Sequence, residues 1–331
     1  MRQRENTAPV IAVDIGGTKI MTALFSATGK MLSKEVRPTL TEEGVESTIS
    51  RLASAIKDTM TQHRLSPSGI RAISIACAGG VDSEKDVVVT PSPNMPGWTD
   101  IPLGNILRER FGVEVFVVND ASAAAFGEHL FGAGRGADDM VLFTVGTGIG
   151  GGIIIDGKLY LGARGGAGEF GHMTVEASGP ACPCGNTGCL EMLASGRAVE
   201  RDAVARLLRG EESILRDTLR GNIEDVSAEQ VGEAARRGDT LALEVIARAS
   251  YYLGVGMVNA VNIFNPEMVV IGGGMAELGE LLIAPGRRLV AERAFSISSR
   301  SVRIAAAQLG NEAGVHGAAA YAHRQSSRRS S

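Results

Sequence analysis

Aromatic residues are scarce in this sequence, and basic residues are not in excess. Both features argue against a nucleic-acid partner. Only 4% of the 331 residues are aromatic, which is too few for the stacking platforms that bind single-stranded nucleic acids. The formal net charge is -4. Lys and Arg are spread along the chain, whereas a duplex-binding domain normally carries a basic face.

Long apolar runs are missing as well. No segment reaches the roughly 18 apolar residues that cross a bilayer, and residues 1–9 are polar, without the apolar stretch of a signal peptide. We therefore expect a cytoplasmic protein with no membrane partner. In that reducing compartment the four cysteines, three of which fall within 182–189, indicate metal binding before a disulfide.

Glycine, by contrast, is abundant, and it recurs in a pattern. The chain has 43 glycines and is 44% apolar, which is enough for the cores of two domains. An apolar strand at 10–15 and another at 20–26 flank Gly16 and Gly17. A second glycine cluster is flanked in the same way by strands at 140–145 and 152–155. This repeat of strand, glycine-rich turn and strand predicts two similarly folded lobes.

The remaining segments alternate between helix and strand, which favours an α/β architecture. Helical patterns cover 41–64, 101–111, 121–130, 198–208, 228–236, 241–263 and 314–323. Further strands are expected at 71–77, 113–118 and 268–271, and 179–189 has the composition of a loop.

The lobe boundary is expected near Asp120. This gives a small N-terminal lobe of residues 1–119, onto which 312–323 pack back, and a large C-terminal lobe of residues 120–311. The polar, Ser-rich residues 324–331 cannot bury a core, so we expect them to form a disordered tail.

The second glycine cluster matches the dinucleotide fingerprint of NAD-dependent dehydrogenases at Gly146, Gly148 and Gly151. That fingerprint requires a helix after it, whereas the β-branched residues that follow here favour a strand. No G-x-x-x-x-G-K-[ST] stretch occurs, so the P-loop class is excluded. A dehydrogenase is therefore only a distant alternative.

Two glycine-rich turns, 14–19 and 145–152, remain as candidate phosphate-binding elements. Each offers backbone N–H groups to an anion, and two such turns that face each other can grip a triphosphate. Glycines also close hairpins without any ligand. Asp14 favours the phosphate interpretation, because a carboxylate beside such a turn can hold magnesium.

Three cysteines and one histidine have the donor types and the spacing of a zinc site. Cys182, Cys184 and Cys189 follow His172, and together they supply three thiolates and one imidazole for a closed tetrahedral site. Such a site has no open position for water, so its role is structural. The alternative is a set of buried or redox-active cysteines. Cys77 lies in an apolar strand and is expected in the core.

Four ordered motifs together resemble the ROK family, the group that contains bacterial glucokinases and other sugar kinases. The resemblance runs from residue 10 to about residue 321. The motifs are Asp14-Ile-Gly-Gly-Thr-Lys19, Val145-Gly-Thr-Gly-Ile-Gly-Gly-Gly152, Glu169-Phe-Gly-His172 and Cys182-Pro-Cys-Gly-Asn-Thr-Gly-Cys-Leu-Glu191. The resemblance implies an actin-like ATPase (RNase H-like) fold, with two lobes and a central cleft, and the cofactors ATP, Mg²⁺ and a structural Zn²⁺.

The resemblance also implies site residues. Asp120 is similar to the family's catalytic base. The sugar contacts implied are Gly79, Asn119, Asp120, Glu169, His172 and Glu191. The ATP and magnesium contacts implied are Asp14, Gly16, Gly17, Thr18, Lys19, Thr147, Gly148, Gly273 and Gly274. Many family members have Pro where Gly80 stands.

These residues suit phosphoryl transfer, which asks the protein mainly to align two oxygens and to neutralise charge. Asp120 would take the proton of a primary sugar hydroxyl, although an aspartate ahead of a helix is also a common N-cap. Glu169 and Glu191 would accept hydrogen bonds from vicinal hydroxyls. His172 would bind zinc through one ring nitrogen and the sugar through the other.

The resemblance thus implies ATP-dependent phosphorylation of a hexose in carbohydrate metabolism, most simply of glucose to glucose 6-phosphate. Asn94-Met-Pro-Gly-Trp98 and the zinc loop look like those of the glucokinase members. An N-acetylglucosamine or N-acetylmannosamine kinase remains open. A sugar-responsive regulator is a further alternative, although with the first strand at Val10 we expect no room for a DNA-binding module. The resemblance suggests a homodimer or homotetramer.

Overall fold

The computed structural model describes residues 8–92, 94–218 and 222–329. Within them, the strands are β1 Val10–Ile15, β2 Lys19–Phe25, β3 Met31–Pro38, β4 Ala72–Cys77, β5 Gly80–Asp82, β6 Val87–Thr90, β7 Val115–Asn119, β8 Met140–Val145, β9 Ile149–Ile155, β10 Lys158–Tyr160, β11 Met268–Gly272 and β12 Arg303–Ala306. The α-helices are α1 Val45–Gln62, α2 Leu103–Phe111, α3 Asp120–Phe131, α4 Glu191–Ala194, α5 Gly196–Leu208, α6 Leu215–Thr218, α7 Ala228–Arg236, α8 Thr240–Phe264, α9 Glu280–Arg293, α10 Ser296–Ser299 and α11 Ala313–Arg329.

Two five-stranded sheets have the same connectivity. The first runs in the order β3-β2-β1-β4-β7 and the second in the order β10-β9-β8-β11-β12. In each, three antiparallel strands are followed by two parallel ones. The predicted repeat of strand, turn and strand is therefore confirmed, and the connectivity is the one expected of the actin-like fold.

The pattern of buried residues along the strands follows from their places in the first sheet. The central strand β4 is buried along its whole length, as expected for a parallel strand covered on both faces. The edge strand β3 alternates between partly buried and exposed positions, because one of its faces meets solvent. That weak apolar signal explains why β3 was missed in the sequence.

Helices α3 and α11 pack against each other between the two sheets. Helix α11 contacts β1 and β4 of the first sheet, and α3 contacts β8 and β9 of the second. One apolar cluster accordingly spans both sheets and both helices. Helix α11, which comes last in the chain, thus packs back on the first lobe, in agreement with the expectation for 312–323.

The expectation of a disordered tail from residue 324 is wrong as far as residue 329, because α11 continues to Arg329. Arg324 lies over the ring of Phe126, 5.8 Å from its centroid. Ser327 Oγ bonds to Arg71 at 3.0 Å and to the carbonyl of His323 at 2.9 Å. The extension of this helix is thus held by contacts with Phe126 of α3 and with Arg71 of the first lobe. Residues 330 and 331 lie outside the described residues.

Two long helices depart from the sequence predictions. Helix α8 is long and apolar enough to cross a membrane, contrary to the expectation that no segment is, yet 61% of its most apolar window is buried inside the protein, as in a core helix. Helix α9 was missed because Pro285 lies inside it and Pro normally breaks helices. Gly286 lies where α9 packs against α8, because an added Cβ there would be 2.3 Å from Met257 of α8.

The α3–α11 contact requires glycine. A Cβ at Gly127 would lie 2.4 Å from the carbonyl oxygen of Ala313, and a Cβ at Gly317 would lie 1.7 Å from that of Ala123. Real Cβ atoms do not approach backbone that closely, so the two helices touch backbone to backbone at this crossing.

We expect Gly317→Ala to destabilise the protein although alanine favours helix. The clash should outweigh the propensity gain and lower the free energy of unfolding by about 1–3 kcal/mol, measured by urea denaturation. Gly166→Ala, where an added methyl group meets no atom within 4 Å, serves as the control and should stay within about 0.5 kcal/mol of wild type. Equal stability of the two variants would contradict the close crossing.

Candidate active site

A cleft of about 1320 Å³ opens between the two lobes. It gathers most of the residues expected from the sequence. Those that line it are Gly16, Gly17, Gly79, Asn119, Asp120, Thr147, Gly148, Glu169, His172, Cys182, Cys184, Glu191 and Gly273. Five expected residues are not among the described residues that line this cleft. They are Asp14, Thr18, Lys19, Cys189 and Gly274.

The first glycine turn joins β1 to β2. Gly16 donates its N–H to the carbonyl of Lys19 at 3.1 Å and accepts from Thr39 Oγ1 at 2.7 Å. Gly17 has no space for a side chain, because an added Cβ would lie 2.4 Å from both Cβ and the carbonyl oxygen of Asn94. Thr18 is exposed at the outer side of the turn.

The second glycine turn is shorter than the sequence suggests. Gly146 donates to the carbonyl of Gly148 at 2.9 Å, and β9 already begins at Ile149. The expected turn over 145–152 is therefore corrected to residues 146–148, and the chain continues as a strand. No helix follows, so the structural context of the dinucleotide fingerprint is absent.

The glycines inside β9 make room for α3 and for an aromatic ring. A Cβ at Gly150 would lie 2.8 Å from Ala121 Cβ, and a Cβ at Gly152 would lie 2.4 Å from Ala125 Cβ. A Cβ at Gly151 would lie 2.3 Å from the ring of Phe170. These glycines thus allow close helix-on-sheet packing, and Gly150 also lines the cleft.

A third glycine segment meets the second turn from β11. Gly273 has φ 82°, which glycine adopts without strain. A Cβ there would lie 2.4 Å from the carbonyl oxygen of Val145. The end of β11 therefore lies against the start of the second turn, and both reach the same part of the cleft.

Asp120 stands where β7 ends and α3 begins. The N-cap of α3 is Asn119, whose Oδ1 accepts the N–H of Ser122 at 3.0 Å, so the interpretation of Asp120 as the N-cap is wrong. Asp120 Oδ1 accepts from the N–H of Ala121 at 2.8 Å and from the Asn119 amide at 3.1 Å. The same amide reaches the carbonyl of Gly79 at 3.0 Å.

Burial and neighbouring charges perturb three acidic residues, of which Asp120 and Glu169 line the cleft and Asp14 lies near Asp120. Burial, aided by the charge of Glu169, raises the pKa of Asp120 to about 6. Burial and the charge of Asp120 raise the pKa of Asp14 to about 7, against the opposing effect of Lys19. Burial also raises the pKa of Glu169, with His172 acting in the opposite direction. Concentrated perturbation of this kind is typical of functional sites.

Glu191 lines the cleft and bonds to the strand that follows the second turn. As the first residue of α4, it accepts the N–H of Ile149 through Oε2 at 2.8 Å. The same oxygen would lie 2.4 Å from a Cβ at Gly148. Gly80 lies on the first-lobe wall and donates its N–H to Thr90 Oγ1 at 3.1 Å, a bond that the proline of many family members cannot make.

The four residues of the expected zinc site come together. Their donor atoms all lie within 4.8 Å of one another. The separations are 3.7 Å between Cys184 Sγ and Cys189 Sγ and 3.8 Å between Cys182 Sγ and His172 Nδ1. Zn–S bonds of about 2.3 Å in a tetrahedron give ligand separations of about 3.8 Å. The donor set and its spacing therefore fit a tetrahedral metal ion.

Sequence reasoning missed residues that connect the two lobes. Gly165 lies against the first lobe, where an added Cβ would be 2.2 Å from the carbonyl oxygen of Val81. Arg197 donates to Asn94 Oδ1 at 2.7 Å. Arg164, Asn94 and Arg197 also line the cleft. No spacing rule joins residues so distant in the chain, so only the fold reveals these contacts.

Comparison with known proteins identifies relatives over almost the whole chain. A family model described as ROK family matches residues 10–325. The glucokinase of Thermotoga maritima is 39% identical over 310 residues, which cover 94% of this chain and 96% of that protein. The xylose repressor of Caldicellulosiruptor bescii is 32% identical and is matched over 96% of this chain and 78% of the repressor.

Among solved structures, a ROK family glucokinase from Streptomyces griseus in complex with glucose and AMPPNP has a TM-score of 0.83. It is 36% identical in sequence, and the match covers 96% of this chain and 100% of that one. A ROK hexokinase from Thermus thermophilus has a TM-score of 0.79 at 36% identity, with 97% and 99% of the two chains covered.

Proposed function

The chain belongs to the ROK family, and from this membership we propose that it phosphorylates glucose with ATP to give glucose 6-phosphate. The observation that carries the proposal is the position of Asp120, a partly buried carboxylate that lines an interlobe cleft together with residues of two glycine turns. Relatives named glucokinase, matched over nearly the whole chain, support glucose as the acceptor.

Asp120 acts as the general base in this proposal. Its described hydrogen bonds fix Oδ1, which leaves Oδ2 to take the proton of the sugar 6-hydroxyl as that oxygen attacks the γ-phosphorus in line. A pKa of about 6 keeps the carboxylate ionised at neutral pH. It also places the base close to the operating pH, where proton transfer is most effective.

The acceptor is held by the walls around Asp120. Asn119 has a fixed orientation, because its carbonyl oxygen caps α3 and its amide bonds to Gly79. Glu169 and Glu191 face each other closely enough for the charge of Glu191 to raise the pKa of Glu169. Two carboxylates of this kind accept several hydrogen bonds from vicinal hydroxyls and disfavour analogues that lack them.

The donor phosphates lie against the turns at Gly16–Gly17 and Gly146–Gly148 and against Gly273. Asp14 would hold the Mg²⁺ that accompanies ATP. The fit rests on its place beside Asp120, because two buried carboxylates that repel each other form the negative region that a divalent cation neutralises. Magnesium supplies charge neutralisation at the phosphates.

A zinc ion held by His172, Cys182, Cys184 and Cys189 completes the proposal. With four protein donors the ion has a structural role. His172 lines the cleft and belongs to the donor group, so the metal would orient a residue of the sugar wall. We also propose a cytoplasmic homodimer or homotetramer, for which the exposed apolar side chains of Ile263, Phe295 and Ile297 offer a contact surface.

An assay of ADP release with glucose, mannose, fructose and the two N-acetyl amino sugars tests the proposed function. We expect the highest kcat/KM with glucose, because the relatives named glucokinase are matched over nearly the whole chain. A higher value with N-acetylglucosamine or N-acetylmannosamine would instead assign an amino-sugar kinase. No ADP release with any of these sugars would refute the kinase proposal.

Replacement of the base should remove turnover without unfolding the protein. We expect Asp120→Asn to lower kcat by about 10²-fold or more, while calorimetry still detects glucose binding. In wild type, kcat/KM should fall about tenfold per pH unit below about pH 6, because protonation of Asp120 removes the base.

The control for this prediction is Asp156→Asn. Asp156 lies in an exposed turn with φ 50°, a conformation that asparagine also adopts, so its variant should keep wild-type kcat. Wild-type turnover in Asp120→Asn, or activity that stays constant down to pH 4, would contradict the role of Asp120.

Loss of one zinc ligand should weaken sugar binding. We expect Cys184→Ser to lose the bound metal and to raise the Kd for glucose about tenfold or more, since changes near a metal site commonly cost 10- to 100-fold. Metal analysis and calorimetry measure both effects. Cys77→Ala, at a cysteine outside the cluster, should keep one zinc per chain. Unchanged glucose affinity in a zinc-free Cys184→Ser protein would contradict the proposed link between the metal site and sugar binding.

A further inference from the structure

A single side-chain hydrogen bond spans the mouth of the cleft beside the glycine turns. Arg197 Nη2 of the second lobe donates to Asn94 Oδ1 of the first lobe at 2.7 Å. Both residues line the cleft and both are exposed, so the bond lies at the rim of the cleft.

On the first lobe, Asn94 is fixed against the first glycine turn. An added Cβ at Gly17 would lie 2.4 Å from Asn94 Cβ and 2.4 Å from its carbonyl oxygen. The segment around Asn94 is anchored from below by Met95 and Trp98, which are 0% and 1% exposed. A movement of Asn94 therefore moves the turn at Gly17, or is blocked by it.

On the second lobe, the residue before Arg197 packs against the second glycine turn. Arg197 stands in the first turn of α5, next to Gly196, whose N–H donates to the carbonyl of Gly146 at 2.7 Å. A Cβ at Gly196 would lie only 3.0 Å from that carbonyl oxygen. The start of α5 and the second turn are thus one packed unit.

The contacts form a continuous chain from Gly17 through Asn94, Arg197 and Gly196 to Gly146. We propose that Asn94 and Arg197 form a bridge that sets the separation of the two glycine turns and so positions the phosphates of the nucleotide. The inference rests on the function proposed above, because it takes the ligand of these turns to be a magnesium nucleotide. Asn94 and Arg197 are positioning residues in this arrangement.

The charge of Arg197 suits this place. Its one hydrogen-bond partner among the described residues is the neutral amide of Asn94. Arg206, on the same helix, is instead paired with Glu211 and Glu244 within the second lobe. No carboxylate among the described residues pairs with the guanidinium of Arg197, so its charge is available to attract a polyphosphate anion.

A double-mutant cycle tests the bridge. Calorimetry measures the Kd for magnesium AMPPNP in wild type, Asn94→Ala, Arg197→Ala and the double variant, and the Kd for glucose without nucleotide. We expect each single variant to bind AMPPNP roughly tenfold more weakly, as for loss of a hydrogen bond to a charged group. The double variant should be no weaker than Arg197→Ala alone, because both changes remove the same bridge.

Several readouts separate the bridge from a general loss of structure. The melting temperature and the glucose Kd should match wild type in all three variants. Arg209→Ala is the matched control, because Arg209 follows the far end of α5 and pairs on the surface with Glu211; its AMPPNP affinity should equal that of wild type.

The outcomes decide for or against the bridge. Unchanged AMPPNP affinity in Arg197→Ala, additive effects of the two substitutions, or an equal loss of glucose affinity would each overturn it. AMPPNP binding needs no phosphoryl transfer. If the protein phosphorylates none of the sugars, the proposed function is refuted, but the binding test of the bridge can still be carried out. A wild-type chain that does not bind AMPPNP overturns the bridge as well.

Discussion

The structure depends on how closely helix α3 is packed. Its N-terminal half lies so near β9 that Gly150 and Gly152 have no room for a Cβ, and its C-terminal half crosses α11 at Gly127. Asp120 is the first residue of this helix. The start of α3 is therefore held in place by close packing, and the bonds from Ala121 and Asn119 to Oδ1 orient the carboxylate on it.

Asp120 in the cleft and Asp14 near it have a cost for folding and a proposed role in function. Burial raises the pKa of both Asp14 and Asp120, and the charge of Asp120 raises the pKa of Asp14 further. Such a pair opposes folding at neutral pH, because the folded state favours the protonated carboxyls. The proposed roles, binding of a divalent cation with ATP and abstraction of a proton, would account for this arrangement, since perturbed acids in clefts commonly have functional roles.

The sequence predicted those parts of the molecule that local patterns specify. The two glycine hairpins, the central apolar strands and the spacing of the three cysteines all follow from neighbouring residues. The packing of Gly150 and Gly152 against α3 was missed, because close packing and phosphate binding both require glycine and a sequence pattern does not distinguish them. Helix α9 was hidden by Pro285. The contact between Asn94 and Arg197 joins residues far apart in the chain, and no periodicity encodes it.

The central claim is that Asp120 takes the proton from the sugar hydroxyl that attacks ATP. A crystal structure of this protein with glucose and magnesium AMPPNP measures the decisive distance. We predict a carboxylate oxygen of Asp120 within about 3.2 Å of the glucose 6-hydroxyl, on the side away from the γ-phosphorus. A 6-hydroxyl that instead bonds to another residue, with Asp120 beyond about 5 Å and no water between them, would contradict it.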